Sequence, residues 1–397
     1  MRRRVTIFFA GIALSASLAH VPEQKQLRSV TVPFTLDHNR VFVDLEFIGP
    51  SGSGRRVHAF VDSGSGADLV MARSLIDGLH LDEAKHIHIR LGGMPLVFDE
   101  EKVSMAGLPG NTTLYGEHDI EANLPSTILQ NYDVVLDYAK RTLTLAPPKS
   151  LRHAGTMISC RVNHETGMIS ADMKIAGETY AVAIDNGAAY TWFSKPVVET
   201  WIAQNPDWLR GSGAVGDANM NGATDEATAI VARAPALLLG NMKLQQVGIV
   251  GYRNAVDSEH EDMFAWYSKK TSEPVIGWIG GNVLKSFRVE LDFAENATYW
   301  MQQTPLDSHD LDQVPITINP EPGGSFTVIG VAEQKGQKLL DEVKPGDKLV
   351  QVGDLKTDGA TIGQVIEALH GKPGETRLLI LDRNGQTARI NAAVAQF

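Results

Sequence analysis

The sequence predicts a mainly β protein made of two β-rich lobes of one pattern, followed by a small α+β unit. Three observations predict it. Short runs of alternating apolar and polar residues, bounded by Gly, Pro and Ser, fill residues 30–146. The same order of segments returns over residues 157–302, and a third block with its own strand, helix and hairpin signals comes after a polar stretch.

The chain begins MRRRVTIFFAGIALSASLAH, with three arginines, an apolar run and small residues at Ser17 and Ala19. This reads as a secretory signal peptide, residues 1–19, cut after Ala19. The apolar run is shorter than the ~20 residues that span a bilayer, which speaks against the alternative of an uncleaved anchor. A periplasmic or secreted location is expected, with no membrane contact after cleavage. The single cysteine, Cys160, excludes an internal disulfide and favours a periplasm-like setting over a disulfide-rich secretory route. In that setting the sequons at Asn111 and Asn296 carry little meaning. At 397 residues the chain is long enough for two or three domains, and its net charge of -11 argues against nucleic acid and anionic membrane surfaces as partners.

The first lobe, residues 30–150, runs TVPFTL, RVFVDLEFI, a loop PSGSGRR, then AFVDSGSGADLV, and ends LPSTILQNYDVVLDYAKRTLTLAPP. The second, residues 155–303, repeats the hairpin as GMISADMKIAGETYAVAID with Gly177 in its turn, and closes IGGNVLKSFRVELDFAENATYWM. Leu136-Asp137-Tyr138 aligns with Leu291-Asp292-Phe293, and at the same offset Ile128-Leu129 meets Val283-Leu284. A duplicated lobe explains both matches. The second copy carries a longer glycine-rich insertion, WLRGSGAVGDANMNGATDE, which includes Gly211-x-Gly213-x-x-Gly216. No strand precedes that motif and no helix-forming run comes after it, so a dinucleotide site is not supported.

The polar stretch TPLDSHDLD, residues 304–312, reads as a linker, and after it residues 313–397 show apolar strands, a helix from about Thr361 to Leu369, and Asn384-Gly385 between two apolar runs, a strong hairpin signal.

Read singly, Asp62 at the end of AFVD is a turn residue accepting backbone hydrogen bonds. The second copy, with Asp185 followed by Asn186-Gly187, changes that reading. A repeated strand-Asp-polar-Gly unit can bring two carboxylates together about a pseudo-twofold axis. At about 3 Å they cannot both ionise easily and share one proton. One then acts as base on a water while the other protonates a scissile carbonyl. Gly64 and Gly187 permit the tight turns, Ser63 can bond across the junction, and Ile279-Gly280 would pack behind the loop.

AFVDSGSGADLV and AVAIDNGAAYTWF resemble the two active-site motifs of retropepsin-like aspartic proteases joined in one chain, as in the pepsins. PVIGWIGGNVLKSFRVELDF is similar to the family's apolar-Gly segment and its succeeding strand. The resemblance spans roughly residues 30–302. It implies a bilobal pepsin-like pair of β-barrels, an Asp62/Asp185 catalytic dyad, a polypeptide substrate and no cofactor or metal. The tail is similar to a PDZ domain in VKPGDKLVQVG, in Pro373-Gly374-Glu375 and in Arg383-Asn384-Gly385. That similarity implies either capture of an extended peptide or protein C-terminus as an added strand, or packing on the lobes without peptide. Gly323 and Gly324 lack the carboxylate-binding pattern of the family.

Two departures stand out. Asn186 replaces the usual hydroxyl residue, although an amide can donate and accept. Pro125 aligns with Gly280 and has no N–H to donate, so the backing of Asp62 is expected to differ from that of Asp185. Two functions therefore stay open: an aspartic endopeptidase, or a peptide-binding protein of the same build that does not cut. A β-rich structural or carbohydrate-binding module accounts for neither Asp-polar-Gly copy. His86-x-His88 lacks a third metal ligand at fixed spacing, and Ser63 and Ser65 lack the elbow of a serine hydrolase. Trp192, Trp201, Trp208 and Trp266 read as core or cleft-wall aromatics. By position, Gly92-Gly93 and residues 211–222 are candidate flaps over the cleft.

Overall fold

The computed structural model describes residues 29–106, 120–215, 224–252, 263–321 and 323–397. The expected signal peptide, Asn111 and most of the 211–222 flap candidate lie outside the described residues.

The chain is mainly β and bilobal, and each lobe is built the same way. In the first, strand Arg40–Ile48 pairs antiparallel with Gly54–Asp62, which pairs parallel with Ile120–Pro125. In the second, Met168–Ile175 pairs antiparallel with Glu178–Ile184, which pairs parallel with Gly277–Ile279. Near-continuous apolar runs suit strands covered on both faces: Val57, Ala59, Phe60 and Val61 are buried in one, and Val182, Ala183 and Ile184 in the other.

Each parallel strand leads into a one-turn helix, Ser126–Leu129 or Gly281–Leu284, and then a hairpin. The two hairpins meet edge to edge. Strand Asp133–Asp137 pairs antiparallel with Phe287–Asp292, setting Asp133 opposite Asp292 and Asp137 opposite Arg288. Strands Thr142–Ala146 and Ala297–Gln302 flank them, and Val30–Pro33 and Thr156–Asn163 close the two sides. Six strands, three from each half, thus form a continuous floor under both lobes. One apolar core runs through the two halves, from Val41 and Phe47 to Leu291 and Trp300, and a second gathers around Trp192 and Trp278 in the second lobe.

The third unit has its own core, including Val314, Phe326, Leu349, Leu379 and Leu381. Its helix, Ile362–Leu369, is started by Thr361, whose hydroxyl accepts from Gln364 N–H while the Gln364 side chain accepts from Thr361 N–H. Such a reciprocal cap satisfies two N–H groups left over at a helix start. Ile362, Val365, Ile366 and Leu369 form its buried stripe. The turn Asn384-Gly385 takes positive φ at both residues, 54° and 83°, as a two-residue hairpin of strands Thr376–Arg383 and Gln386–Ala393 requires.

This unit docks on both lobes. At the start of its helix, Asp37 of the first lobe accepts from Gly363 N–H at 2.9 Å and from the Thr361 hydroxyl. On the second lobe, Ser212 pairs with Glu333, and Ala214 N–H donates to Thr317 at 3.0 Å. The polar stretch read as a linker is itself anchored: Asp310 is 3% exposed, accepting from Arg233 at 2.7 Å and from Asn282 at 2.6 Å. Buried charges need such partners.

Candidate active site

Strands Gly54–Asp62 and Glu178–Ile184 run toward each other and deliver Asp62 and Asp185 to the lobe junction. After each aspartate the chain makes a tight turn whose N–H groups face the carboxylate. Gly64 N–H donates to Asp62 Oδ1 at 2.9 Å, and Gly187 N–H donates to Asp185 Oδ1 at 2.7 Å. The Ala188 N–H adds a second donor to Asp185. The two carboxyls hydrogen-bond to each other.

The glycines are required by the opposite lobe. A Cβ on Gly64 would lie 2.1 Å from Asp185 Cγ, and one on Gly187 would lie 2.5 Å from Asp62 Oδ1. Each turn leaves the room that the other carboxylate occupies.

Beneath the dyad, Ser63 and Asn186 bond in both directions. Ser63 Oγ donates to Ile184 O at 3.0 Å and accepts from Asn186 N–H at 3.1 Å. Asn186 Nδ2 donates to Val61 O at 2.8 Å, and its Oδ1 accepts from Ser63 N–H at 2.8 Å. A hydroxyl and an amide perform equivalent tasks because each can donate and accept, and each uses one donor and one acceptor here. The bulkier amide at 186 is accommodated without a break in the pattern.

Backing differs between the copies at one donor. Asp185 N–H donates to Ile279 O at 3.0 Å, and Gly280 N–H donates to Thr191 Oγ1 at 3.2 Å. A Cβ on Gly280 would lie 2.1 Å from Tyr190 O. Pro125 sits opposite Asp62 in the parallel register and supplies no N–H. The next residues agree again: Ser126 N–H donates to Ser65 O at 3.1 Å, as Gly281 N–H donates to Ala188 O at 2.8 Å.

Burial is the main electrostatic influence on the pair. Asp185 is 6% exposed, and burial pushes its carboxyl up to about 6 against the N–H groups of Gly187 and Ala188, the Asp62 hydrogen bond and the charge of Arg40. Asp62 is raised well above the usual carboxylate range by burial and then by the charge of Asp185. Mutual repulsion of two close carboxylates keeps one of them protonated.

No family model matches this chain, and no curated protein matches it. Among solved structures it is similar to the aspartic proteinase from Irpex lacteus, at 10% identity and a TM-score of 0.39, covering 70% of this chain and 98% of that one.

Other sequence candidates fall elsewhere. His86 is exposed beside Glu100, 3.2 Å away, and His88 is exposed on its strand. Among the described residues no three His, Cys, Asp or Glu side chains gather as metal ligands. Trp192 and Trp201 are buried in the core, Trp208 packs against it, and Trp266 stays 38% exposed with the Lys270 ammonium 4.8 Å from its ring centre. The Gly92-Gly93 turn packs toward Val30 and Val32 of the floor, and Gly211 is part of a strand paired with Ile230–Leu239.

Two residues near the dyad had no obvious sequence signal. Tyr267, on helix Met263–Ser268, is buried among Trp278 and Phe264, and its hydroxyl is held protonated by burial and by the charges of both aspartates. Arg40 is 0% exposed and donates from Nε to Gly187 O at 3.0 Å. Its place at the start of a strand becomes meaningful only once the strand register is known.

Proposed function

We propose that this protein is an aspartic endopeptidase that cleaves polypeptide with a water activated by Asp62 and Asp185. The observation that carries the reading is the pair of buried, mutually hydrogen-bonded carboxyls, each set on its own turn and locked from below by the Ser63–Asn186 exchange. That arrangement holds one proton between two acids, as the chemistry needs.

In this mechanism a water bridges the two carboxyls. The ionised carboxylate takes one proton from this water as the water oxygen attacks the scissile carbonyl carbon, while the protonated carboxyl gives its proton to the carbonyl oxygen. The tetrahedral diol then collapses as its C–N bond breaks and a proton passes to the leaving amine. No covalent acyl-enzyme forms. An extended peptide suits a junction between two β lobes.

The tail, residues 313–397, is proposed as a PDZ-like module that binds a peptide or a protein partner, and residues 1–19 as the signal that exports the chain to the periplasm or beyond. The experiment that tests the enzymatic reading is incubation of the chain from His20 onward with a diverse peptide library between pH 3 and 8, beside Asp62→Asn and Asp185→Asn. New termini made by the parent and by neither variant support the endopeptidase. A folded parent that leaves every peptide intact overturns the endopeptidase and moves the peptide-binding reading ahead of it.

A further inference from the structure

The two lobes repeat closely enough that their differences can be read position by position. With Asp62 matched to Asp185, Gly66 in the first turn matches Ala189 in the second. Each of these two carbonyls accepts a hydrogen bond from a side chain of the opposite lobe. Asn39 Nδ2 donates to Ala189 O at 3.1 Å, and Lys270 Nζ donates to Gly66 O at 3.4 Å. A neutral amide serves on one side of the junction and an ammonium on the other.

The two sides also differ in cover. The Asn39 side is packed under the tail, where a Cβ on Gly363 would lie 2.4 Å from His38 N. On the other side the Thr166 hydroxyl donates to Lys270 O at 2.6 Å, and Trp266, its ring centre 4.8 Å from the ammonium, stays 38% exposed. Tyr267, between these two in the chain, packs 5.0 Å from Trp278, which stands opposite Ala183, two residues before Asp185. Gly66 lies two residues beyond Gly64, whose N–H faces Asp62, and two residues span about 7 Å at most. The segment 266–270 thus borders the dyad. Lys270 forms no ion pair with a described residue. Glu273 is held by Arg161 and by the Ser170 hydroxyl, and neither Asp68 in the first turn nor the exposed Glu165 pairs with the ammonium. An ammonium has three donors, so one long bond to a carbonyl leaves two to offer. Lys269, next in the chain, is exposed and adds to the positive charge.

We propose that Lys270 and Trp266 form a subsite for a carboxylate of the bound polypeptide, supplied by an Asp or Glu side chain about one to three residues from the scissile bond or by a free C-terminus in that place. The carboxylate takes the spare N–H donors in charge-assisted hydrogen bonds, which are stronger than neutral ones, and its carbon stem packs against the exposed indole. The chain's net charge of -11 repels acidic peptides in general, so an acid preference confined to one position has a local source. This subsite rests on the endopeptidase reading for the cutting but not for the binding.

The test is digestion of a position-resolved peptide library at pH 7 by the parent, Lys270→Gln and Lys270→Glu, each checked for its fold by circular dichroism. Lys270→Gln keeps an N–H for Gly66 O, as Asn39 provides for Ala189 O, but carries no charge. The peptides present Asp, Glu, Asn or Gln at each position and end in a free or an amidated C-terminus, which separates the two sources of carboxylate. The parent is expected to favour the acid over its amide by about tenfold at one place. Lys270→Gln should lose that preference, and Lys270→Glu should favour Lys or Arg there. A parent indifferent to acid and amide, or a folded Lys270→Gln that keeps the preference, overturns the subsite. If the parent cuts nothing, the same peptides are labelled and their binding is read by fluorescence anisotropy. Acid-dependent binding that Lys270→Gln abolishes then removes the endopeptidase and leaves the subsite standing, and any other result overturns the subsite too.

Discussion

Ser63 and Asn186, one from each lobe, hold each other through a hydrogen bond in each direction, and each also fastens a strand carbonyl of the other lobe. Asn186→Ala strips partners from Ser63 N–H and Val61 O, both inside the junction. Leaving two buried backbone groups unpaired should cost about 2–4 kcal/mol. Asn186→Thr restores one donor and one acceptor and should recover most of that stability. Urea unfolding of the three proteins checks this; equal midpoints for parent and Asn186→Ala would mean that the junction contributes nothing to stability.

Gly187→Ala is expected to abolish peptide cleavage while leaving the fold in place. The new Cβ would sit 2.5 Å from Asp62 Oδ1, a distance that forces the carboxylates apart. Gly78→Ala, at an exposed position of helix Arg73–Leu79 where the new Cβ meets only the end of the Arg55 side chain, is the control for general damage. Circular dichroism and cleavage rates for both variants decide the point, and undiminished activity in Gly187→Ala would show that close carboxylates are not needed.

Cleavage should fall as the pH drops through about 6, where Asp185 takes up a proton and the dyad loses its base. On the alkaline side it should fall only when Asp62 gives up its proton, because burial and the Asp185 charge raise that carboxyl well above its usual range. A kcat/KM profile from pH 3 to 9 reads both limbs. A maximum near pH 3 contradicts a base whose carboxyl is raised to about 6.

The same displaced acids act on stability with a definite sign. A carboxyl raised in the folded state keeps a proton that the unfolded chain releases above about pH 4. Its contribution is therefore intact at low pH and is lost as the pH climbs toward the folded value, about 6 for Asp185. Asp62→Asn mimics the protonated acid permanently and should stabilise the fold at pH 7, with little gain at pH 3, because burial and the Asp185 charge raise the Asp62 carboxyl well above its usual range. Thermal melts at the two pH values check it, and a variant less stable than the parent at pH 7 contradicts it.

Asp37 ties the tail to the hairpin that bears Arg40. Its carboxylate caps helix Ile362–Leu369 from outside, and the next residues reach the second lobe, with Asn39 Nδ2 donating to Ala189 O at 3.1 Å. Asp37→Ala should cost about 1–2 kcal/mol, the worth of a helix cap near the positive end of the helix. Hydrogen exchange should quicken both at 361–364 and at 38–41, and cleavage should slow. If exchange changes at the helix alone, the hairpin does not depend on the tail.

Much of this architecture is legible in the sequence alone. Alternating strands, the repeated Asp-polar-Gly unit and the Asn384-Gly385 turn are local signals, and each corresponds to an element in the structure. The helix at 362–369 is readable from its apolar spacing and its Thr361 start. The features that sequence does not show depend on register and on contacts between distant segments. Arg40 is an ordinary strand-edge residue until pairing with Val61's strand sets it beside the dyad. Asn186 reads as an obstacle when its amide is compared with a hydroxyl by size, whereas the junction uses donors and acceptors. The aspartates at 310 and 312 read as linker because their partners, Arg233 and Asn282, are remote in the chain.

The crossed glycines carry a consequence for how such a chain can change over generations. The residue permitted at position 64 is dictated by a side chain in the second half, and the residue permitted at 187 by one in the first. A duplicated gene ordinarily frees its copies to drift apart, yet here each copy polices the other at the point where they touch. A diverged half can replace either one only if it brings a glycine to this turn, because the opposite carboxylate already occupies the space of any side chain there.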